Sequence, residues 1–236
     1  MGSKGNFSVF DLWDTYLPPY EAAFIQGAAA GHMCSYISMS VTRGGEGGPP
    51  YVPSCASSYL MQRVVREYWA RPDAYALSDC GAVYNMYKEN HYVKSFAEAA
   101  GAALSAGMDI NSNTILPEYL PAALARNLTT EAALDASLRR SLAWRLRLGM
   151  LDPLENQRYA KIGAAALGTP ASREAAAEGA AQGLVLVQNS GVLPLAPGLR
   201  LAVVGPMATT RDGLLGDYYG CVCRDFLHRA GSAASS

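Results

Sequence analysis

Asp79 is the residue in this 236-residue chain whose type and setting most directly offer chemistry. It lies in YALSDCGAV, where the apolar run Ala74 to Leu77 reads as a short buried strand that Ser78-Asp79-Cys80-Gly81 leaves. In barrels and open α/β sheets, a group at the carboxyl end of a strand is held on one side and faces substrate on the other. A carboxylate there can serve as nucleophile or base. From position alone, the competing reading is a loop aspartate that caps the next turn.

Sulfur and imidazole chemistry is less well placed. The cysteines are Cys34, Cys55, Cys80, Cys221 and Cys223. Cys221-Val-Cys223 is too tight for the usual zinc pair, no His pair follows it, and His32, His91 and His228 are scattered. No metal site is expected. Each cysteine reads as a small buried hydrophobe, with a Cys34–Cys55 bridge across the Gly-rich loop as the sharper alternative. Such a bridge needs an oxidising compartment, with which the sequons Asn6-Phe-Ser8 and Asn127-Leu-Thr129 are compatible.

The elements that must position Asp79 follow a strand–helix alternation. Pro18-Pro19 opens a helix that continues to Ala30, and His32 to Ile37 is a buried strand. Ser38 to Ser54 is rich in Gly and Pro and reads as loop. Residues 57–69 place Leu60, Val64, Val65 and Trp69 on one helical side, and Arg71-Pro72-Asp73 ends that helix. After the strand at 74–77, residues 94–106 are helical, Gly107 to Ile110 is strand-like, and 117–126 and 130–148 are helical. Thr129-Thr130-Glu131 caps the last of these and Gly149 stops it. About three repeats of this alternation over residues 1–150 imply right-handed crossovers and a parallel sheet, an α/β fold. Residues 151–171 read as an extended linker, Ser172 caps a helix to about Gln188, and Leu199 to Val204 is a strand ending at Gly205-Pro206. The tail, 226–236, reads as disordered.

Composition narrows the classes. Nineteen basic and 20 acidic residues leave a net charge of −1, and half the residues are hydrophobic. That excludes a disordered chain and argues against binding nucleic acid through bulk charge. No run of about 18 apolar residues spans a membrane, and the N-terminus lacks the apolar core of a signal peptide. Asn6 stands where myristoylation wants Ser or Thr.

The order DTYLPPYEAAF, MCSY, REYW, LSDCGAV, AGMDIN, LRLGMLDP, AAAEGAAQGLVLVQNSGVLPL and LAVVGP resembles glycoside hydrolase family 3, in its β-xylosidase and α-arabinofuranosidase branch, with β-glucosidases as relatives. The resemblance covers nearly all of residues 10–220 in order. It implies the last part of a (β/α)8 barrel in residues 1–150, the linker, and the beginning of an α/β sandwich domain in residues 172–225. It implies that Asp79 is the nucleophile of a retaining β-glycosidase, attacking the anomeric carbon while a second carboxylic acid protonates the leaving oxygen. Met33 and Tyr36 would line the sugar subsite, Tyr36 close to Asp79, and Cys80 would stand where glucosidases have Trp. The competing reading of Met33 and Tyr36 is core packing. Asp109 aligns with a family aspartate and reads as structural support.

The chain departs from the family's pattern at Ile37, where Asn is usual, in the insertion TRGGEGGPPY, and at Val187-Gln188-Asn189, where a lysine is usual. A whole barrel takes about 250 residues, so only its last three strand–helix units are expected here. The upstream sugar-binding residues and the downstream acid/base glutamate are then absent, and Glu46 in the insertion is a stand-in without support. A partial barrel leaves edges and an apolar face uncovered. The chain therefore reads as a fragment of a longer enzyme, inactive in isolation. The expected substrate is a small xylan or arabinoxylan oligosaccharide or glycoside. No cofactor, nucleic acid or membrane is implied, and the family's setting is extracellular or cell-wall. The alternative is a non-catalytic, degenerate relative acting as a binding module. A nucleotide-binding domain suggested by Leu201 to Pro206 ranks low, because no Gly-rich phosphate loop accompanies it.

Overall fold

A computed structural model describes residues 3–42 and 50–209 of the chain. Glu46, Cys221, Cys223, His228 and the 226–236 tail lie outside the described residues. The chain divides into two units, Met1–Gly163 and Ala164–Ser236.

Among the described residues, two small sheets organise the first unit, an α/β arrangement. Strand β1 (Lys4–Ser8) leads through the single turn α1 (Val9–Asp11) and a short i→i−5 helix, Leu12–Tyr16, into helix α2 (Pro18–Ile25). Pro18 sits in the first turn of α2, where its missing N–H costs nothing. The helix stops at Ile25, short of the expected Ala30; the exposed Ala28 takes a positive φ of 51° just beyond it. Strand β2 (Gly31–Cys34) follows, then β3 (Ser38–Thr42) and β4 (Val52–Pro53).

The segment from Ser38 to Ser54, expected to be loop, therefore carries two strands. β3 pairs in parallel with β1, from Lys4↔Ser38 to Ser8↔Thr42, and antiparallel with β4. Its alternation of buried Ser38 and Ser40 with less buried Met39 and Val41 is the period-2 pattern of a strand. The Gly/Pro richness belongs to the residues that follow it.

The segment Tyr59–Tyr68 is helical but wound wide, with hydrogen bonds that run five residues back, as in Trp69 N–H to Val64 O (2.9 Å). It buries Met61, Val64 and Val65 and leaves Arg63 and Glu67 outside. Strand β5 (Tyr75–Ser78) then pairs in parallel with β2, from Gly31↔Tyr75 to Cys34↔Ser78. The expected third strand of this sheet is reduced to one parallel bridge, Leu77↔Ile110, flanked by hydrogen bonds from Asp109 N to Ala76 O (2.8 Å) and Ser78 N to Ile110 O (2.9 Å).

Helices α3 (Ala82–Lys88), α4 (Phe96–Ser105), α5 (Ile115–Ala125) and α6 (Glu131–Arg147) complete the unit. Ser95 and Thr130 cap α4 and α6, their hydroxyls accepting from Glu98 N and Ala133 N. Along α4, Ala97, Ala99, Ala100 and Ala103 are buried, which lets this helix lie close to its neighbours. One core gathers Ala76, Val83, Met86, Met108 and Ile115 with Ala99, Ala100 and Ala103 of α4; a second gathers Leu12, Leu17, Phe24, Val64, Val65 and Trp69.

The second unit holds helix α7 (Pro170–Gly183). Thr169, not the expected Ser172, caps it by accepting from Ser172 N, and Pro170 fits the first turn. It ends at Gly183 rather than near Gln188, and Leu184 is already extended. Leu199 to Val204, expected to be a strand, has no ladder partner among the described residues. No described residue from 164 to 209 is buried.

Candidate active site

The parallel pair β2–β5 delivers two chain segments to one place. Register sets Cys34 opposite Ser78, and one step further the Asp79 N–H donates to Cys34 O (2.9 Å). Asp79 thus leaves the strand with its backbone anchored and its side chain half-buried. Gly81 takes a positive φ of 80°, which turns the chain into α3 immediately after the aspartate.

Three of the residues singled out by sequence meet here. Asp79 Oδ1 accepts from the Cys80 N–H (2.6 Å). The Tyr36 hydroxyl donates to the Cys80 carbonyl (2.5 Å). Tyr36, Cys80 and part of Asp79 are open to solvent. A carboxylate oriented by a backbone N–H beside an exposed phenol can receive a polar ligand and present an oxygen to it.

Met33 stands apart from this group. It is 56% exposed and lines an apolar cavity of about 320 Å³ with Tyr16, Tyr20, Phe24 and Trp69; Asp79, Tyr36 and Cys80 do not line it. Within that cavity His32 packs edge-on against Phe24, with ring centroids 6.0 Å apart. Neither of its ring nitrogens has a hydrogen-bond partner, and burial, then the Arg66 charge, lowers its pKa to about 4.

The Cys34–Cys55 disulfide ties the end of β2 to the turn after β4, closing the segment that carries Tyr36 and the insertion. The same neck is stitched by Ser35 N to Ser54 Oγ (2.8 Å), Ser54 Oγ to Ser35 O (2.6 Å) and Ser54 N to Ile37 O (2.9 Å).

Asp109 performs a different task from Asp79. Its side chain is fully buried; Oδ2 accepts from Arg66 Nη2 (2.7 Å) and Ala76 N (2.9 Å), and Oδ1 from Arg140 Nε (2.9 Å). Arg66 also donates to Ala74 O and Gly107 O. Burial draws the Arg66 pKa down to about 10 while Asp109 pushes it back up and Arg140 lowers it, so the guanidinium is charged at neutral pH. A Cβ at Gly107, which has a φ of 103°, would collide with that guanidinium. With every strong acceptor direction occupied, Asp109 locks the wide-wound helix and α6 to β5.

Sequence reasoning passed over Ser78, Asn111 and Ser112. The fully buried Ser78 Oγ accepts from Asn111 Nδ2 (3.0 Å) and Ser112 N (2.9 Å), and Ser112 Oγ lies 2.8 Å from Cys80 Sγ. Their signal was the rule that singled out Asp79: Ser78 ends the strand that presents it, and Asn111 and Ser112 follow the next strand-like run at its carboxyl end. Among the described residues, no group of three His, Cys, Asp or Glu side chains could hold a metal ion, and no helix is long and apolar enough to cross a membrane.

No family model matches the chain. It is 36% identical over 215 residues to a probable exo-1,4-β-xylosidase of Neosartorya fischeri, covering 90% of this chain and 27% of that one. It is 37% identical over 216 residues to an exo-1,4-β-xylosidase of Emericella nidulans, with the same shares. Its fold is similar to a GH3 exo-β-xylosidase (XlnD) solved with a xylobiose aziridine probe, at a TM-score of 0.71 and 28% identity over 93% of this chain and 27% of that one. A Listeria innocua β-glucosidase solved with glucose gives 0.62 and 26%, over 82% and 25%. The chain spans about a quarter of the length of the curated relatives it matches.

Proposed function

We propose, for a chain that is a partial member of glycoside hydrolase family 3, that Asp79 is the nucleophile of a retaining, exo-acting β-xylosidase-type hydrolase. The observation that carries this is the seating of Asp79: anchored through its N–H to Cys34 O, its carboxylate aimed by the Cys80 N–H, at the open end of a parallel strand pair. The substrate would be the terminal xylosyl unit of a xylan or arabinoxylan oligosaccharide. Asp79 Oδ would form a bond to the anomeric carbon as the bond to the leaving oxygen breaks, and water would later displace the aspartyl ester. Tyr36 and Cys80 would line the sugar subsite, while Met33, at the separate apolar cavity, is not needed for it. No cofactor enters this chemistry.

The reading finds, among the described residues, one of the two carboxyls the mechanism needs. Asp109 is committed to Arg66 and Arg140, and Glu98 to the Lys94 N–H, Ser95 and Arg126. We assign residues 1–150 to the end of the family's barrel, 151–171 to the linker and 172–225 to the start of its sandwich domain. The chain by itself would then be unable to turn over an ordinary xyloside, which needs acid assistance. The Cys34–Cys55 disulfide supports a secreted, oxidising setting.

An activated substrate separates nucleophile from acid. A 2,4-dinitrophenyl 2-deoxy-2-fluoro-β-xyloside carries a leaving group that departs without protonation. The full chain should take up one fluoroxylosyl group on Asp79, located by peptide mass spectrometry, with release of an equivalent of dinitrophenolate. Asp79→Ala should take up none. Absence of label on the folded wild-type chain would favour the second reading, a non-catalytic binding module.

A further inference from the structure

We infer that Ser112 is a positioning residue for Asp79, acting through Cys80; this rests on the reading of Asp79 as nucleophile. Cys80 is held at three atoms. Its N–H donates to Asp79 Oδ1 (2.6 Å), its carbonyl accepts from the Tyr36 hydroxyl (2.5 Å), and its Sγ meets Ser112 Oγ at 2.8 Å. The first contact orients the carboxylate. The other two fix where that N–H points.

Ser112 is itself fixed from the strand that presents the aspartate. Its N–H donates to the Oγ of Ser78, which also accepts from Asn111 Nδ2. Ser78 is fully buried at the end of β5, one residue before Asp79. The covalent run Ser78-Asp79-Cys80 is thus closed into a ring by the Sγ–Oγ contact at one end and the N–H–Oγ bond at the other. Asn111 joins this ring to the start of α5, since its Oδ1 accepts from Leu116 N (3.1 Å).

A ring of this kind removes a hinge. Without the Ser112 hydroxyl, Cys80 keeps one hydrogen bond, from Tyr36, and one to Asp79, both on its backbone and both at an exposed position. The peptide plane between Asp79 and Cys80 can then rotate, and the carboxylate loses its fixed approach to the anomeric carbon. Bond formation is sensitive to such misplacement, about a hundredfold per ångström. Ground-state capture of the sugar is not.

The test uses the full chain and the activated fluoroxyloside, fitting a limiting rate and a saturation constant for labelling of Asp79. Ser112→Ala should lower the limiting rate about tenfold, leave the saturation constant within about twofold, and leave the melting temperature unchanged. Ser112→Thr, which keeps the hydroxyl, should restore the rate. Cys80→Ala removes the same contact from its exposed partner and should give the same loss; the double variant should lose no more than either single one. Iodoacetamide should alkylate Cys80 faster in Ser112→Ala than in the wild type. Equal labelling rates in wild type, Ser112→Ala and Cys80→Ala overturn the inference while leaving the nucleophile reading intact. So does a loss that Thr fails to rescue. Absence of label on wild-type Asp79 overturns the nucleophile reading, and the inference with it.

Discussion

Two four-residue, largely apolar segments of this chain end in opposite states. Tyr75-Ala-Leu-Ser78 is strand β5, with Ala76 and Ser78 fully buried. Leu201-Ala-Val-Val204 has higher β-propensity, yet its Leu201, Val203 and Val204 are 66–85% exposed and it forms no ladder among the described residues. What differs is the company. Tyr75–Ser78 has β2 on one edge, the Ile110 bridge on the other, and the methionines and alanines of the core packed with its buried Ala76. The other run follows a stretch from Leu184 to Leu199 without one charged residue, in which the large side chains are likewise solvated. A short apolar run proposes a strand; a partner edge and a covered face make it one.

Hydrogen exchange would break or sharpen this contrast most. Amides of Tyr75–Ser78 and of Phe96–Ser105 should exchange only through cooperative opening, while Leu201 to Val204 should exchange at nearly the free rate. The separation should be about a thousandfold or more. Comparable protection in the two runs would mean that 201–204 has found a partner strand.

Substitutions extend the contrast to energies. Asp109→Asn removes the charge that faces two arginines in a buried site and should cost about 3–5 kcal/mol, read from the urea midpoint. Val203→Asp introduces a charge into an exposed run and should stay within about 0.5 kcal/mol. A large loss from Val203→Asp would show that the second run is packed in solution.

The same contrast governs what the sequence revealed. The helix expected over 130–148 appears as Glu131–Arg147 because both of its ends are written locally: Thr130 caps one, and Gly149, with a φ of 68°, stops the other. The strand expected at 74–77 appears one residue later. Sheet β1–β3–β4 was missed, since its pairing joins residues 34 positions apart and its middle strand opens into a Gly/Pro-rich run. Position alone left Asp79 undecided between a reacting group and a cap. Its neighbours Tyr36 and Cys80 were indicated by the family resemblance. Ser112 was overlooked although the strand-like run before it was read, because what gives it a role is a contact with Cys80, 32 positions away in sequence, which no local pattern writes.

Within the first unit, the Cys34–Cys55 bridge should matter next. It spans 21 residues of sequence. Chain-entropy arguments give about 3 kcal/mol for a loop of that size. Cys34→Ala/Cys55→Ala should lose about that much in the urea midpoint, with the loss confined to the first unit. Exchange in Leu201 to Val204 should not change, because that run draws nothing from the bridge. An exchange change there would couple the two runs and undo the contrast.

The last effect, confined to acid pH, comes from His32. Its imidazole lies among Phe24 and Trp69 in the apolar cavity, near the Arg66 charge, with both nitrogens unpartnered. Burial makes its proton costly, so the folded chain binds it only at about pH 4, whereas the unfolded chain binds it at 6.5. Between these values the unfolded state holds more protons, so stability present above pH 6.5 is lost as the pH falls toward 4 and levels off below it. A shift of that size corresponds to about 3 kcal/mol at most. His32→Leu should remove this component of the pH dependence and leave the part due to carboxylates. A urea-midpoint profile with the same slope between pH 6.5 and 4 in both proteins would place the imidazole in water. It would then belong with the exposed side chains of the second run rather than with the core.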